Sequence, residues 1–154
     1  MNKQELRKIM ENIIKILDGN IDWDNADIIK VEEMNPHKRP NLPKGKMAIY
    51  MFSYKGEVLK VGKVGPKSKN RFRYQHYNPN SCESNLAKAI LKDKKKYDKS
   101  LNESNVAQWM LKNLERTNIY LDEKCGIATL DLFEATLHYK LKPIYEGYET
   151  QNYY

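Results

Sequence analysis

The sequence predicts an α/β fold: a small, mainly antiparallel sheet of about three strands flanked by helices, with a helical extension at the N-terminus. Three observations lead there. Leu6, Ile9, Met10, Ile13, Ile14 and Leu17 recur at helical spacing over residues 3–17. The runs KMAIYMF and EVLKVG, joined by SYKG, read as two strands around a turn. Leu130, Phe133, Leu137 and Leu141 form an apolar stripe along a last helix spanning about 128–141.

Taken in order, the first helix is core-facing, carries no chemistry, and stops near Gly19. Residues 35–45 (NPHKRPNLPKG) hold three prolines and read as an extended connector. The roughly 34 residues before it are too few for a separate core. The chain therefore reads as one domain, with an N-terminal helix and extended connector over 1–45 leading into one compact unit over 46–154. A three-residue hairpin loop of Tyr54, Lys55 and Gly56 sets Tyr50 directly opposite Lys60. Alternation then places Ala48, Tyr50, Phe52, Val58, Lys60 and Gly62 on one face. VGPKSKN is a loop, and a helix runs from about Asn70 to Tyr77, ended by Asn78-Pro79-Asn80. Ser84 caps a further helix through about Lys92, with Leu86, Ile90 and Leu91 inward. KDKKKYDKS reads as a solvated, mobile loop. A helix over roughly 104–115 turns Val106, Trp109, Met110 and Leu114 inward, and TNIYLDE is the third strand.

The 154 residues suit one domain, and a charged content of 31% belongs to a well-solvated surface rather than a disordered chain. No stretch approaches the roughly 18 apolar residues of a membrane span, and MNKQELRK leads into no signal-peptide core. A cytoplasmic protein without a membrane partner is the expectation, with Cys82 and Cys125 as reduced thiols. The net charge of +7 is concentrated, because residues 55–73 hold five lysines and two arginines against the single acid Glu57. A charge gathered in one segment suits a polyanion better than it suits general solubility.

Three places could carry chemistry. Glu134 falls roughly 40° from Leu130 on the helical wheel, inside the apolar stripe, and a carboxylate facing a core needs a cationic partner or a metal. Asp131 and His138 flank it at helical spacing, nearer the stripe's edge. On the predicted hairpin, an ammonium at Lys60 beside the Tyr50 phenol would favour the phenolate, and a phenol of lowered pKa is a general base. Arg71 and Arg73 point about 200° apart on a helix, so at most one of them reaches a shared site. Arg71 shares a face with Gln75, and Arg73 with Tyr77.

These residues, AIY, then KVG beginning ten residues after Tyr50, then Arg71 with QHY, then Glu134, resemble the GIY-YIG nuclease superfamily over about residues 46–147. Ala48 replaces the first glycine, and Lys60 replaces the tyrosine of the second tripeptide. The resemblance implies a divalent-metal-dependent endonuclease hydrolysing DNA. Glu134 would hold Mg²⁺ or Mn²⁺, Arg71 would grip the scissile phosphate, and Tyr50 would accept the water's proton. Lys60 would hold Tyr50 as phenolate or steady the nucleophile, and His76 or Tyr77 would support phosphate or water. Lys63, Lys67, Lys69 and Arg73 would line the DNA backbone, and cutting both strands would need a homodimer or two encounters. The competing expectations are a catalytically silent nucleic-acid-binding module of the same fold, and a basic scaffold in which Glu134 is salt-bridged to Arg71.

Overall fold

Amphipathic spacing builds the first helix of the computed structural model, α1 (Lys3–Ile16), which buries Leu6, Ile9, Met10 and Ile13. The structure describes residues 3–17, 21–25, 27–82 and 85–145. Gly19 and Ser84, expected as a helix stop and a helix cap, lie outside them.

The sheet has four strands rather than three. β1 (Ile29–Met34), β2 (Lys46–Tyr54), β3 (Glu57–Val64) and β4 (Glu115–Asp122) lie in the order β1-β4-β2-β3, every pair antiparallel. The additional strand, IKVEEM, comes from the segment read as helix and connector. It is an edge strand with no fully buried residue, and its alternation of Ile29 and Val31 with Lys30 and Glu32 is short and is broken at Glu33. Ile29–Met34, ahead of residue 46, thus belong to the same sheet as the later strands.

The β2–β3 hairpin turns on two residues, Lys55 and Gly56, with φ of +49° and +84°. Left-handed conformations at both positions match the twist of the flanking strands. Pairing then slips, because Ser53 faces Val58 while Phe52 faces Lys60, leaving Leu59 as the extra residue of a β-bulge. Two expectations change. Tyr50 stands opposite Gly62 instead of Lys60, and Val58 turns to the other face with Met47 and Met51.

Both faces of the sheet are covered. Met47, Ile49, Met51, Val61, Ile119 and Leu121 pack against α1 and α6 (Ile127–Leu141). Ala48, Tyr50, Phe52 and Leu59 pack against α2 (Lys69–Tyr74), α3 (Leu86–Lys92) and α5 (Val106–Asn113). Central strands covered on both sides read as continuous apolar runs, as KMAIYMF does. The helix expected over 70–77 is shorter, with a 3₁₀ turn at Gln75–Tyr77. α3 is capped by Asn85, whose side-chain oxygen accepts the Lys88 N–H at 2.8 Å. The lysine run expected as a mobile loop contains a short helix, α4 (Lys94–Tyr97). Tyr97 anchors it against the Tyr54 and Trp109 rings, 5.4 and 5.6 Å away. No helix among the described residues is long and apolar enough to cross a membrane.

Candidate active site

The site forms where β3 lies at the sheet's edge and Tyr50 reaches out over it from β2. Tyr50 can lie there because residue 62 has no side chain. A Cβ at Gly62 would come within 2.8 Å of Tyr50 Cε2 and nearer still to Cζ and Oη. The ring is 1% exposed and is boxed by Phe52, Phe72 and His76. Its hydroxyl is hydrogen-bonded to His76 Nε2 at 2.5 Å.

Burial pushes the Tyr50 phenol up to about 12, although the Arg71 and Arg116 guanidiniums pull it down; Glu134 adds to the upward push. Tyr50 is therefore a phenol at neutral pH, not the phenolate expected from a neighbouring Lys60. Lys60, 7% exposed, pairs with Phe52, and its charge acts on His76. Burial first, then the charges of Lys60, Arg116 and Arg71, hold His76 well below the usual imidazole range. His76 is thus neutral and carries one ring proton, which sits on Nδ1 when Nε2 accepts from Tyr50. Nδ1 is buried and has no hydrogen-bond partner among the described residues.

The alternatives left open by the sequence separate in space. His76 meets Tyr50, whereas Tyr77 turns away into a second, buried network. There Arg116 donates to the Tyr77 hydroxyl at 2.8 Å, which donates to His37 Nε2 at 2.9 Å, and His37 Nδ1–H donates to the Leu114 carbonyl at 2.7 Å. Arg71 is exposed, and its charge acts on both Tyr50 and His76. Arg73 instead donates to the Asn41 side chain and lies over the Tyr74 ring.

Glu134 projects from the middle of α6, where its side chain is 21% exposed. Its Oε2 lies 2.6 Å from Lys63 Nζ, which also meets Asp131 Oδ1 at 3.0 Å. Desolvation pulls the Lys63 pKa down, yet hydrogen bonds to Glu134 and Asp131 outweigh it and raise the value. His138 Nε2 stands 3.9 Å from Glu134 Oε1. Among the described residues no three His, Cys, Asp or Glu side chains gather as a ready metal cage. The donors nevertheless fit a hard divalent cation, because two carboxylates on one helix already converge on the Lys63 ammonium. Lys63 is thus drawn into the acidic side of the site, while Lys67 and Lys69 are exposed on the approach from β3 to α2.

Two buried groups beside the site escaped the sequence reading. Arg116 is 1% exposed, with its guanidinium 4.6 Å from the Phe72 ring centroid, 5.0 Å from Phe52 and 5.6 Å from Tyr50. It also donates to the Asn118 side chain and the Phe72 carbonyl, each at 3.0 Å. Alternation along ERTNIYLD places Arg116, Asn118 and Tyr120 on the Tyr50 face, and that signal could have exposed the arginine. His37 sits in the connector, where no periodicity marks it.

The chain finds no match among known family models, curated proteins or solved structures, so its functional reading rests on this geometry and on the ordered motifs in its sequence.

Proposed function

We propose that the chain is a divalent-metal-dependent endonuclease of the GIY-YIG type, hydrolysing DNA phosphodiester bonds. One observation carries this reading. A buried phenol–imidazole pair lies over Gly62, and the charges of an exposed arginine, Arg71, and a partly buried carboxylate, Glu134, both act on the phenol. Phosphodiester hydrolysis needs an acceptor for the water's proton, a cationic grip on the phosphoryl oxygens, and neutralisation of charge on the leaving oxygen.

Arg71, exposed beside Tyr50, is placed to hold the phosphate through its planar fork. Water then gives its proton to Tyr50 Oη while Tyr50 passes its own to His76 Nε2 across 2.5 Å. A depressed imidazole is a weak acceptor, but an anionic phosphate at Arg71 offsets part of the positive charge that depresses it. Burial first, and then the charge of Lys60, keep His76 neutral in the resting site, with a ring nitrogen free of a proton. Glu134 would hold Mg²⁺ or Mn²⁺, whose charge neutralises the leaving 3′-oxygen. Lys67 and Lys69 contribute counter-charge along the DNA backbone.

A second reading, a catalytically silent DNA-binding module, draws on the Lys63–Glu134 contact, in which an ammonium already satisfies the carboxylate. Supercoiled plasmid incubated with Mg²⁺ or Mn²⁺ separates the two. Nicking that falls about a hundredfold or more in Glu134→Ala supports the nuclease. Equal activity in both proteins removes Glu134 from the site. Salt-sensitive DNA binding without cleavage selects the silent module.

A further inference from the structure

Tyr74 ends α2 and remains 45% exposed, an uncommon position for a ring so close to a packed sheet. Two guanidiniums flank it: Arg73 Cζ lies 5.2 Å from its centroid, and Arg39 Cζ, from the connector, lies 5.8 Å away. Arg39 also lies 5.1 Å from the buried Tyr77 ring, which fixes it from beneath. The Nε atoms of both arginines are buried without a hydrogen-bond partner. Neither forms an ion pair with a carboxylate among the described residues. Two like charges thus share one aromatic ring with no counter-ion, an arrangement that an anion entering between them would relieve.

The position relative to the site is informative. Tyr74 follows Arg71 by three residues, which puts their Cβ atoms about 5–6 Å apart on one side of the helix. That is the scale of one step along a nucleic-acid strand. Beyond Arg39 a groove of about 470 Å³ continues between β1 and the connector, where Lys30, Lys38 and Lys46 outnumber the acidic Asp27 and Glu32.

Resting on the nuclease reading, we propose that Tyr74, between Arg39 and Arg73, is a stacking subsite for an unpaired base next to the cleaved phosphodiester. The preferred substrate is then DNA with a single-stranded or unpaired nucleotide beside the cut, its strand running on into the groove. A base inside a duplex is already stacked on both faces and gains nothing from Tyr74. An unpaired base gains a ring to stack on, and its phosphate gains two guanidiniums.

The test uses the full chain carrying Glu134→Gln, so that binding is read without cleavage. The probes are a blunt DNA duplex and the same duplex with one unpaired 2-aminopurine; affinity is read by anisotropy and stacking by 2-aminopurine quenching. Adding Tyr74→Ala is expected to weaken binding of the unpaired substrate about fivefold to a hundredfold and to abolish the quenching. Binding of the blunt duplex should change by no more than about twofold. Tyr74→Trp, which keeps a stacking ring, should preserve both signals. Equal losses on the two substrates, quenching that survives Tyr74→Ala, or no binding of either substrate overturns the subsite. Failure of the nuclease reading itself shows separately, as absence of plasmid nicking by the unsubstituted chain.

Discussion

Gly62→Ala adds a single methyl group, and the structure fixes what it meets. The new Cβ would fall 2.8 Å from Tyr50 Cε2 and nearer to Cζ and Oη. Carbon contacts are comfortable from about 3.5 Å, so the ring must retreat by about 1 Å. It has little room, with the Phe52, Phe72 and His76 ring centroids 6.0, 6.1 and 4.9 Å from its own. Overpacking costs about 1–3 kcal/mol, and a boxed ring belongs near the upper end. The same retreat would stretch the 2.5 Å bond to His76 towards the limit of hydrogen bonding and forfeit about 1 kcal/mol more. Together these amount to about 3–4 kcal/mol, or a melting temperature about 10 °C lower for a chain of this size.

Thermal and urea unfolding followed by circular dichroism would read the stability. On the proposed nuclease reading, plasmid nicking is expected to fall about 100-fold with a misplaced hydroxyl. Tyr50→Leu removes the atoms that the new methyl group strikes, so Gly62→Ala should cost far less in that background. A Gly62→Ala protein melting within about 2 °C of the unsubstituted chain would refute the reasoning. So would a cost that is the same with and without the Tyr50 ring, since the clash would then not be its source.

The buried networks give further expectations. Arg116→Met leaves Asn118 and the Phe72 carbonyl without their donor and removes the cation from its aromatic cage, costing about 2–4 kcal/mol. Arg116→Lys should rescue little, because one ammonium cannot reproduce a planar fork reaching three partners; urea midpoints equal to that of the unsubstituted protein would contradict this. Burial holds His37 down at about 4, so the unfolded chain binds the extra proton first as pH falls below about 6.5. Stability is therefore complete above about 6.5 and is lost as pH falls towards 4, by about 3 kcal/mol from His37 alone. His76, also held low, acts in the same direction. Unfolding free energies measured at pH 7.5 and pH 4.5 check this, and equal values at the two would sink it; His37→Gln should flatten part of the slope.

Much of the fold was legible because burial and periodicity agree. α1, α5 and α6 bury their apolar stripes, and Glu134 stood out as the one carboxylate within such a stripe. β1 was hidden because its apolar face is only two residues long, Ile29 and Val31, before Glu33 interrupts it. The hairpin register failed on a local choice: SYKG accommodates a two-residue or a three-residue loop, and the bulge at Leu59 then moves every later pair. The contest between His76 and Tyr77 could not be resolved by a helical wheel. The backbone tightens to a 3₁₀ turn there, and the angle per residue grows from about 100° to about 120°. Arg116 was readable in principle from alternation, but its four aromatic neighbours come from three separate elements that only the fold assembles.

The charges around Tyr50 also bear on the order in which a nuclease would assemble its site. Arg71, Arg116 and Lys60 lie on the Tyr50–His76 side, and Lys63 closes onto Glu134 and Asp131 on the other. Without substrate, Lys63 offsets one of the two carboxylate charges, and a divalent cation binding Glu134 would displace an ammonium held by two hydrogen bonds. That displacement leaves Lys63 unpaired in an already positive site, which is unfavourable. A phosphate arriving at Arg71 changes the balance, because it supplies negative charge beside the freed lysine and a further oxygen ligand for the cation. On the proposed reading, then, cation and nucleic acid should bind cooperatively. The residue that answers for Glu134 in the resting protein would become a phosphate contact in the loaded one.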